Sequence, residues 1–363
     1  MSSAIGIIIL KTSNSKLGDK SVNILGKTCL EWVSLSFGNS LCGIVDYNID
    51  DNIIDIIKPT VNITRKYTIV LYSDTPLVNI ATIECAIDVM KSSDLYCLKI
   101  SRGWIFVTDY LINLEILPNL STTHLDNIDV DMICVDSFIN VAKATKLLRD
   151  RILDYHMGNG VHIVDPNTVW IDCEVRIGKG TTIHPNNIIK NQTEIKEGVT
   201  LLSGNTIDNC ILDNDCSVSN SMLLDSYVGQ CTSIGPFARL RPESIIGNNC
   251  KIGNFVEIKK SLIGDNTKVA HHTYIGDAQV GKNCNFGCGV IIANYDGVNK
   301  NPTRIGSRVF IGANSTLIAP IILENNSFVA AGSTIINSVP EDSLAIARAR
   351  QVNKQNWINK IKK

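Results

Sequence analysis

Through residues 1–160, continuous aliphatic runs alternate with stretches of helical period. AIGIIIL, KYTIVLYSD and GWIFVTDY are apolar runs of strand length. IECAIDVMKSS and NVAKATKLLRDRILDYHM place their apolar residues on one helical face. Strands and helices taking turns predict a Rossmann-like α/β layer with a mainly parallel sheet, followed by a long helix from Asn140 to Met157.

Past about residue 166 the period becomes six. Aliphatic residues recur at Ile171, Ile177 and Ile183, at Ile195, Leu201 and Ile207, and at Cys210, Cys216, Met222, Val228, Ile234, Leu240, Ile246, Ile252 and Ile258. The phase slips by one at Ile263, Val269 and Ile275, slips again at Val280, Phe286 and Ile292, and resumes from Ile305 to Ile335. Glycine often follows the aliphatic, as at Gly229, Gly253, Gly287 and Gly312, and is expected to supply turn conformations. A hexapeptide repeat is the signature of a parallel β-helix, in which three hexads close one coil. At three hexads per coil, about nine coils are expected. The organisation read from these patterns is an α/β domain over 1–160, a β-helix over 161–337 and a C-terminal tail over 338–363.

Composition adds exclusions. A formal net charge of -1 supplies no global field to recruit nucleic acid or an acidic membrane. Twelve cysteines without a C-x-x-C pair read as reduced, mostly buried thiols of a cytoplasmic protein. The apolar run near the N-terminus is too short for a membrane span.

The repeat turns spacing into geometry. Residues three hexads apart, or one fewer across a slip, stack on adjacent coils, which puts Arg241 against Lys259 and Tyr274 against Glu257. Two stacked cations repel unless an anion lies between them, so Arg241 and Lys259 are either a phosphate clamp or a solvated pair. His271 falls near a turn, between Asn254 below and Cys288 above. Zinc is the competing reading for His271, but no third histidine stands at a matching hexad position, and His184 is several coils away.

The motifs GPFARLRP (235–242), GNFVEIKKS (253–261), AHHTYIGDAQVG (270–281) and ANYDGVNK (293–300) resemble one family. It is the bifunctional N-acetylglucosamine-1-phosphate uridyltransferase/glucosamine-1-phosphate acetyltransferase of UDP-N-acetylglucosamine synthesis. The resemblance implies a left-handed β-helix, a homotrimer with sites between subunits, and acetyl-CoA as donor. It implies that Arg241 and Lys259 hold the phosphate of glucosamine-1-phosphate, that His271 is the base, and that Tyr274 and Asn285 bind sugar. Lys300 matches a lysine reaching toward a neighbouring subunit's site, and Asn294, Tyr295, Ala331 and Arg348 match coenzyme positions. Cys288 stands where the family usually has alanine, and Ala313 where it usually has serine. Histidine suits the chemistry, since a sugar ammonium must lose a proton before its nitrogen attacks a thioester.

The front half departs from the family. Its Gly-rich triphosphate loop is replaced by LKTSNSKLGDKS, in which only Gly18 and Lys20 are candidates for remnants. LYSDTPLV (71–78) resembles the metal-binding motif, so Asp74 would hold Mg²⁺, with Asp136 near the position of its partner. The expectation is a truncated, degenerate uridyltransferase domain that has lost its activity, joined to a working acetyltransferase. The alternatives are a bifunctional enzyme and a non-enzymatic trimeric scaffold.

Overall fold

The computed structural model describes residues 4–12, 22–123 and 130–361, which divide into two compact units, Met1–Ile152 and Leu153–Lys363. Gly18 and Lys20 lie outside the described residues.

The first unit is built on a five-stranded sheet. Its strands are β1 (Ile5–Thr12), β2 (Leu41–Tyr47), β3 (Tyr67–Tyr72), β4 (Cys97–Ile100) and β5 (Gly103–Val107), in the order β2-β1-β3-β5-β4. β1 runs parallel to β2 and β3, whereas β5 is antiparallel to both β3 and β4. Alternate side chains of β1 serve two cores. Ile5, Ile7 and Ile9 face one with Ile83, Ala86 and Met90, while Ile8 and Leu10 face the other with Ile54 and Phe106. Burial on both faces is why β1 is an unbroken aliphatic run. The helix α1 (Cys29–Phe37) starts on a capping box: Thr28 Oγ1 accepts from Glu31 N–H, and the Glu31 carboxylate accepts from Thr28 N–H at 2.7 Å. The helices α2 (Ile80–Ser92) and α3 (Phe138–Gly158) form where their periodicity predicts.

The second unit is a left-handed parallel β-helix with, among the described residues, faces of nine, eleven and ten short strands. The chain visits the faces in turn. Ser261–Ile263 lies on face one, Lys268–His271 on face two, Tyr274–Gly276 on face three, and Ala278–Val280 on face one again. Ile252, Ile258, Ile263, Val269, Ile275 and Val280 fill the lumen, each with at most 2% exposure.

The structure corrects the repeat in two places. Between Ile207 and Ile234 the coils fall short of three full hexads, pairing Ile207 with Leu223, Leu212 with Val228 and Val218 with Ile234. Leu223 therefore occupies the lumen and Met222 stands outside, 48% exposed. The glycines also act differently from expectation. Corners of positive φ are taken more often by asparagine and aspartate than by glycine, among them Asn220, Asp225, Asn249, Asn266 and Asp277. Gly229, Gly253, Gly287 and Gly312 stand instead where the next coil passes too close for a side chain: a Cβ on Gly253 would lie 1.9 Å from the Ala270 carbonyl oxygen.

Candidate active site

His271 ends its strand on face two, paired in register with Asn254 one coil below. Its Nδ1 lies 2.9 Å from Asn254 Oδ1. A carbonyl oxygen only accepts, so in the neutral imidazole Nδ1 carries the proton and Nε2 keeps its lone pair. Thr273 Oγ1 donates to the His271 carbonyl at 2.8 Å, which ties down the backbone at the corner. The neighbouring His272 takes φ +47 at that corner and continues an exposed aromatic ladder, Phe237 on Phe255 at 5.5 Å and Phe255 on His272 at 6.3 Å.

Register on face two carries the column upward from His271. Phe286 pairs with Ile311 and Ile311 with Val329, so Cys288, Ala313 and Ala331 stack two residues beyond them on successive coils. Backbone bonds from Asn314 N–H to the Cys288 carbonyl and from Gly332 N–H to the Ala313 carbonyl knit the column. All three residues are exposed, and the Arg348 side chain lies beside Gly332 near the top. Cys288 and the two alanines leave this strip of wall shallow above the histidine.

The far end of the strand Tyr274–Gly276 is charged. Arg241 Nη1 donates to Glu257 Oε1 at 2.9 Å, and Lys259 Nζ lies 4.0 Å from Asp277 Oδ2. Carboxylates thus interleave with the two cations. Lys259 is 16% exposed and Asp277 13%. The Lys300 ammonium, joined by burial, holds Lys259 below the usual lysine range against the opposing pull of Asp277. Lys300 therefore faces Lys259 of its own chain. Asn294, 6% exposed, donates through Nδ2 to the Asp277 carboxylate. Gly276 makes room for this group, because a Cβ there would lie 2.4 Å from Tyr274 Oη and 2.8 Å from Asn294 Nδ2. The loop after Asn294 is pinned by Asp296, whose carboxylate accepts from Val298 N–H, Asn299 N–H and Asn301 Nδ2 at 2.8, 2.6 and 3.0 Å. Tyr295 projects from it, 61% exposed.

The histidine corner precedes the three-residue strand Tyr274–Gly276, about 10 Å long, and the cluster of cations lies at that strand's far end. Arg241, Lys259, Tyr274, Asn294 and Lys300 gather at the cationic end. Asn285 stands on face two between Lys268 and Phe310. Two residues had no predicted role, Asn254 as the histidine's partner and Asp277 as the carboxylate beside Lys259. The signal for Asp277 was its spacing, three full hexads after Lys259, masked by the slip that pairs Lys259 with Gly276.

In the first unit, Asp74 follows β3. Its Oδ1 accepts from Arg102 Nε at 3.2 Å, its Oδ2 accepts from Arg102 Nη2, and Cys134 Sγ donates to Oδ2 at 3.2 Å. Burial and the Asp74 charge push the Cys134 thiol up to about 12, so it stays a donor. The Arg102 guanidinium lies 4.3 Å from the Tyr72 ring centroid. Asp136 Oδ1 accepts from Asn140 Nδ2 at 2.9 Å. Mg²⁺ requires oxygen ligands at roughly 2.0–2.1 Å in octahedral array. Both Asp74 oxygens are instead spent on a guanidinium beside a protonated thiol, and these residues do not fit the metal.

Comparison with known proteins follows this geometry. Residues 225–300 match the family model described as "GMPPB C-terminal domain", and residues 302–336 match "Hexapeptide repeat of succinyl-transferase". The chain is 50% identical over 226 residues to a protein of Clostridium kluyveri named bifunctional protein GlmU, covering 62% of this chain and 50% of that one. A Clostridium acetobutylicum protein of the same name is 48% identical over 230 residues, 63% of this chain and 50% of the relative. Over these residues the chain is similar to the proteins of that name. It spans about half the length of these GlmU relatives. Among solved structures, UDP-N-acetylglucosamine O-acyltransferase (LpxA) from Moraxella catarrhalis aligns at 20% identity over 55% of this chain and 77% of that one, with a TM-score of 0.36.

Proposed function

We propose that the β-helix is a glucosamine-1-phosphate N-acetyltransferase, moving acetyl from acetyl-CoA to the sugar amine on the way to UDP-N-acetylglucosamine. The observation that carries this reading is the His271–Asn254 pair, with its free Nε2 at the foot of the Cys288–Ala313–Ala331 column. Acetyl-CoA would lie along that column, with Asn294, Tyr295 and Arg348 as further contacts. Arg241, Lys259 and Lys300 would neutralise the sugar phosphate, leaving Tyr274 and Asn285 for the sugar. Nε2 of His271 takes a proton as the amine nitrogen attacks the thioester carbonyl. The tetrahedral oxyanion collapses, and the coenzyme leaves as thiolate. The working unit in this reading is a homotrimer.

The Asp74–Arg102 pair supports the further reading that uridyl transfer has been lost from the first unit. The decisive assay is thiol release from acetyl-CoA with and without glucosamine-1-phosphate. His271→Ala should cut release by about 10²–10⁴-fold while the oligomer stays intact by light scattering. Unchanged turnover would sink the assignment.

A further inference from the structure

Between face three and face one the chain makes a loop, residues 294–303. Every residue from Tyr295 to Lys300 is exposed, whereas Asn294 and Thr303 at the two ends are buried. The loop is stiff within itself. Asp296 accepts from three donors inside it, Asn301 N–H donates to the Asn294 carbonyl at 2.7 Å, and Tyr295 pairs with Lys300 in an antiparallel bridge. A cleft of about 320 Å³, lined in part by Lys260, Lys300 and Arg304, lies at its exit. Where the loop stands on the wall therefore depends on how its ends are held.

One residue holds both ends. The Asp277 carboxylate accepts from Asn294 Nδ2 at the entry, and the Asp277 carbonyl accepts from Thr303 N–H at 3.1 Å at the exit. Asp277 is tied in turn to the cationic end of the candidate site. Its N–H donates to the Lys259 carbonyl at 3.1 Å, and its Oδ2 lies 4.0 Å from Lys259 Nζ. At that separation the ammonium attracts the carboxylate without donating to it, so protons remain available to an anion. An anion that draws Lys259 away leaves Asn294 as the principal counterpart of a carboxylate only 13% exposed. Hydrogen bonds to ionised acceptors are the strong ones, so the entry of the loop tightens. The same anion attracts Lys300 near the exit.

We propose that Asp277 is a positioning residue that couples the two substrates. Holding both ends of the loop, it sets Tyr295 for the coenzyme and Lys300 for the sugar phosphate as one unit, and an occupied phosphate end tightens coenzyme binding. The inference rests on the proposed function for the assignments of Tyr295, Lys259 and Lys300. Asp277 itself acts through Asn294 and Lys259.

The experiment titrates the full-length protein with coenzyme A by calorimetry, with and without saturating glucosamine-1-phosphate. Without an acetyl group the pair cannot react, so both affinities are equilibrium values. Glucosamine-1-phosphate should tighten coenzyme A about five- to twentyfold, and coenzyme A should tighten glucosamine-1-phosphate by the same factor. Asp277→Asn removes the charge while keeping an amide oxygen for Asn294 and the backbone carbonyl for Thr303. It should bring the coupling to within about twofold of unity. Glucosamine-1-phosphate alone should bind no more weakly, since a carboxylate has left the neighbourhood of the phosphate. Asn294→Ala should lose the coupling as well, and the double variant should lose no more than either single change. A merely structural residue would instead lower the melting temperature and weaken coenzyme A alone, leaving the ratio in place. Coupling near unity in the unaltered protein, or coupling that survives Asp277→Asn, overturns the inference. Thiol release from acetyl-CoA with glucosamine-1-phosphate, run on the same preparations, decides the acetyltransferase reading by itself. Turnover without coupling rejects the role of Asp277 alone; absence of both turnover and binding rejects the two together.

Discussion

Nδ1 of His271 is held 2.9 Å from Oδ1 of Asn254, its register partner one coil below. The amide fixes both the ring plane and the tautomer, so Asn254 is a positioning residue for the proposed base. Asn254→Ala is expected to lower kcat about 10–100-fold, short of the roughly 10²–10⁴-fold that a general base supplies. The KM for acetyl-CoA should change little. Asn254→Asp puts a carboxylate against the imidazole, raises its pKa and moves the acid limb of the pH–rate profile to higher pH. A profile that does not move would leave Asn254 a purely structural residue.

Lys300 facing Lys259 sets a pH dependence. The folded-state pKa of Lys259 lies below the ordinary value of 10.5, with Lys300 the first cause. Between the depressed value and 10.5 the unfolded chain holds more protons than the folded one, so this lysine's contribution to stability rises with pH across that window. An anion between the two ammonium groups favours their charged forms. Orthophosphate should therefore bind with proton uptake, and its affinity should fall as pH rises through the depressed pKa. Lys300→Ala removes the repulsion and should move that fall to higher pH in a calorimetric titration series.

Cys288 sits directly above His271 in the column assigned to acetyl-CoA. Its thiol is exposed, as are those of Cys85 and Cys231 among the described residues. Saturating acetyl-CoA should protect Cys288 from iodoacetamide while leaving Cys85 and Cys231 open, read by peptide mass spectrometry. Cys288→Ala should keep turnover within a fewfold, because a smaller side chain only widens the column. Equal labelling with and without acetyl-CoA would place the coenzyme elsewhere.

The β-helix was legible in the sequence because its lumen admits only two side chains per hexad, which stamps period six on the aliphatics. What the period could not carry was local shortening. The short coils between Ile207 and Ile234 hide the exchange of Met222 for Leu223, since both are apolar and adjacent. Stacking arithmetic brought Arg241, Lys259, Tyr274 and His271 to one region, yet missed that Glu257 and Asp277 interleave with the cations, because side-chain reach is not a register property. In the first unit the buried runs of β1, β3 and β5 stand out, but β4 is only four residues long and half of its hairpin. Its antiparallel pairing leaves no trace in hydrophobic period. The Arg102–Asp74 pair joins positions separated by a whole helix and a strand, and it had no sequence signal at all.

That pair gives a prediction about metal. With both Asp74 oxygens accepting from Arg102, the first unit should show no stoichiometric Mn²⁺ binding by electron paramagnetic resonance at neutral pH. Arg102→Met leaves Asp74, 21% exposed, without its counter-charge. The cost should be about 1–3 kcal/mol, below that of breaking a fully buried pair. Tight Mn²⁺ binding by the unaltered chain would show that the guanidinium yields its place readily.

Gly253 tests the close approach of coils beside the candidate site. It precedes Asn254, and a Cβ there would lie 1.9 Å from the carbonyl oxygen of Ala270 and 2.6 Å from its carbonyl carbon. Those atoms belong to backbone hydrogen-bonded within face two, so relief requires the coils to part rather than a side chain to turn. Gly253→Ala should cost about 3 kcal/mol or more and lower activity as well, because Ala270 leads directly into His271. Gly297 is the control: its φ is +100, but nothing lies within 4 Å of a Cβ placed there. Gly297→Ala carries only backbone strain, about 1–2 kcal/mol, on a loop whose local opening need not unfold the helix. A melting temperature that falls no further for Gly253→Ala than for Gly297→Ala would show that the coils separate more easily than their spacing allows.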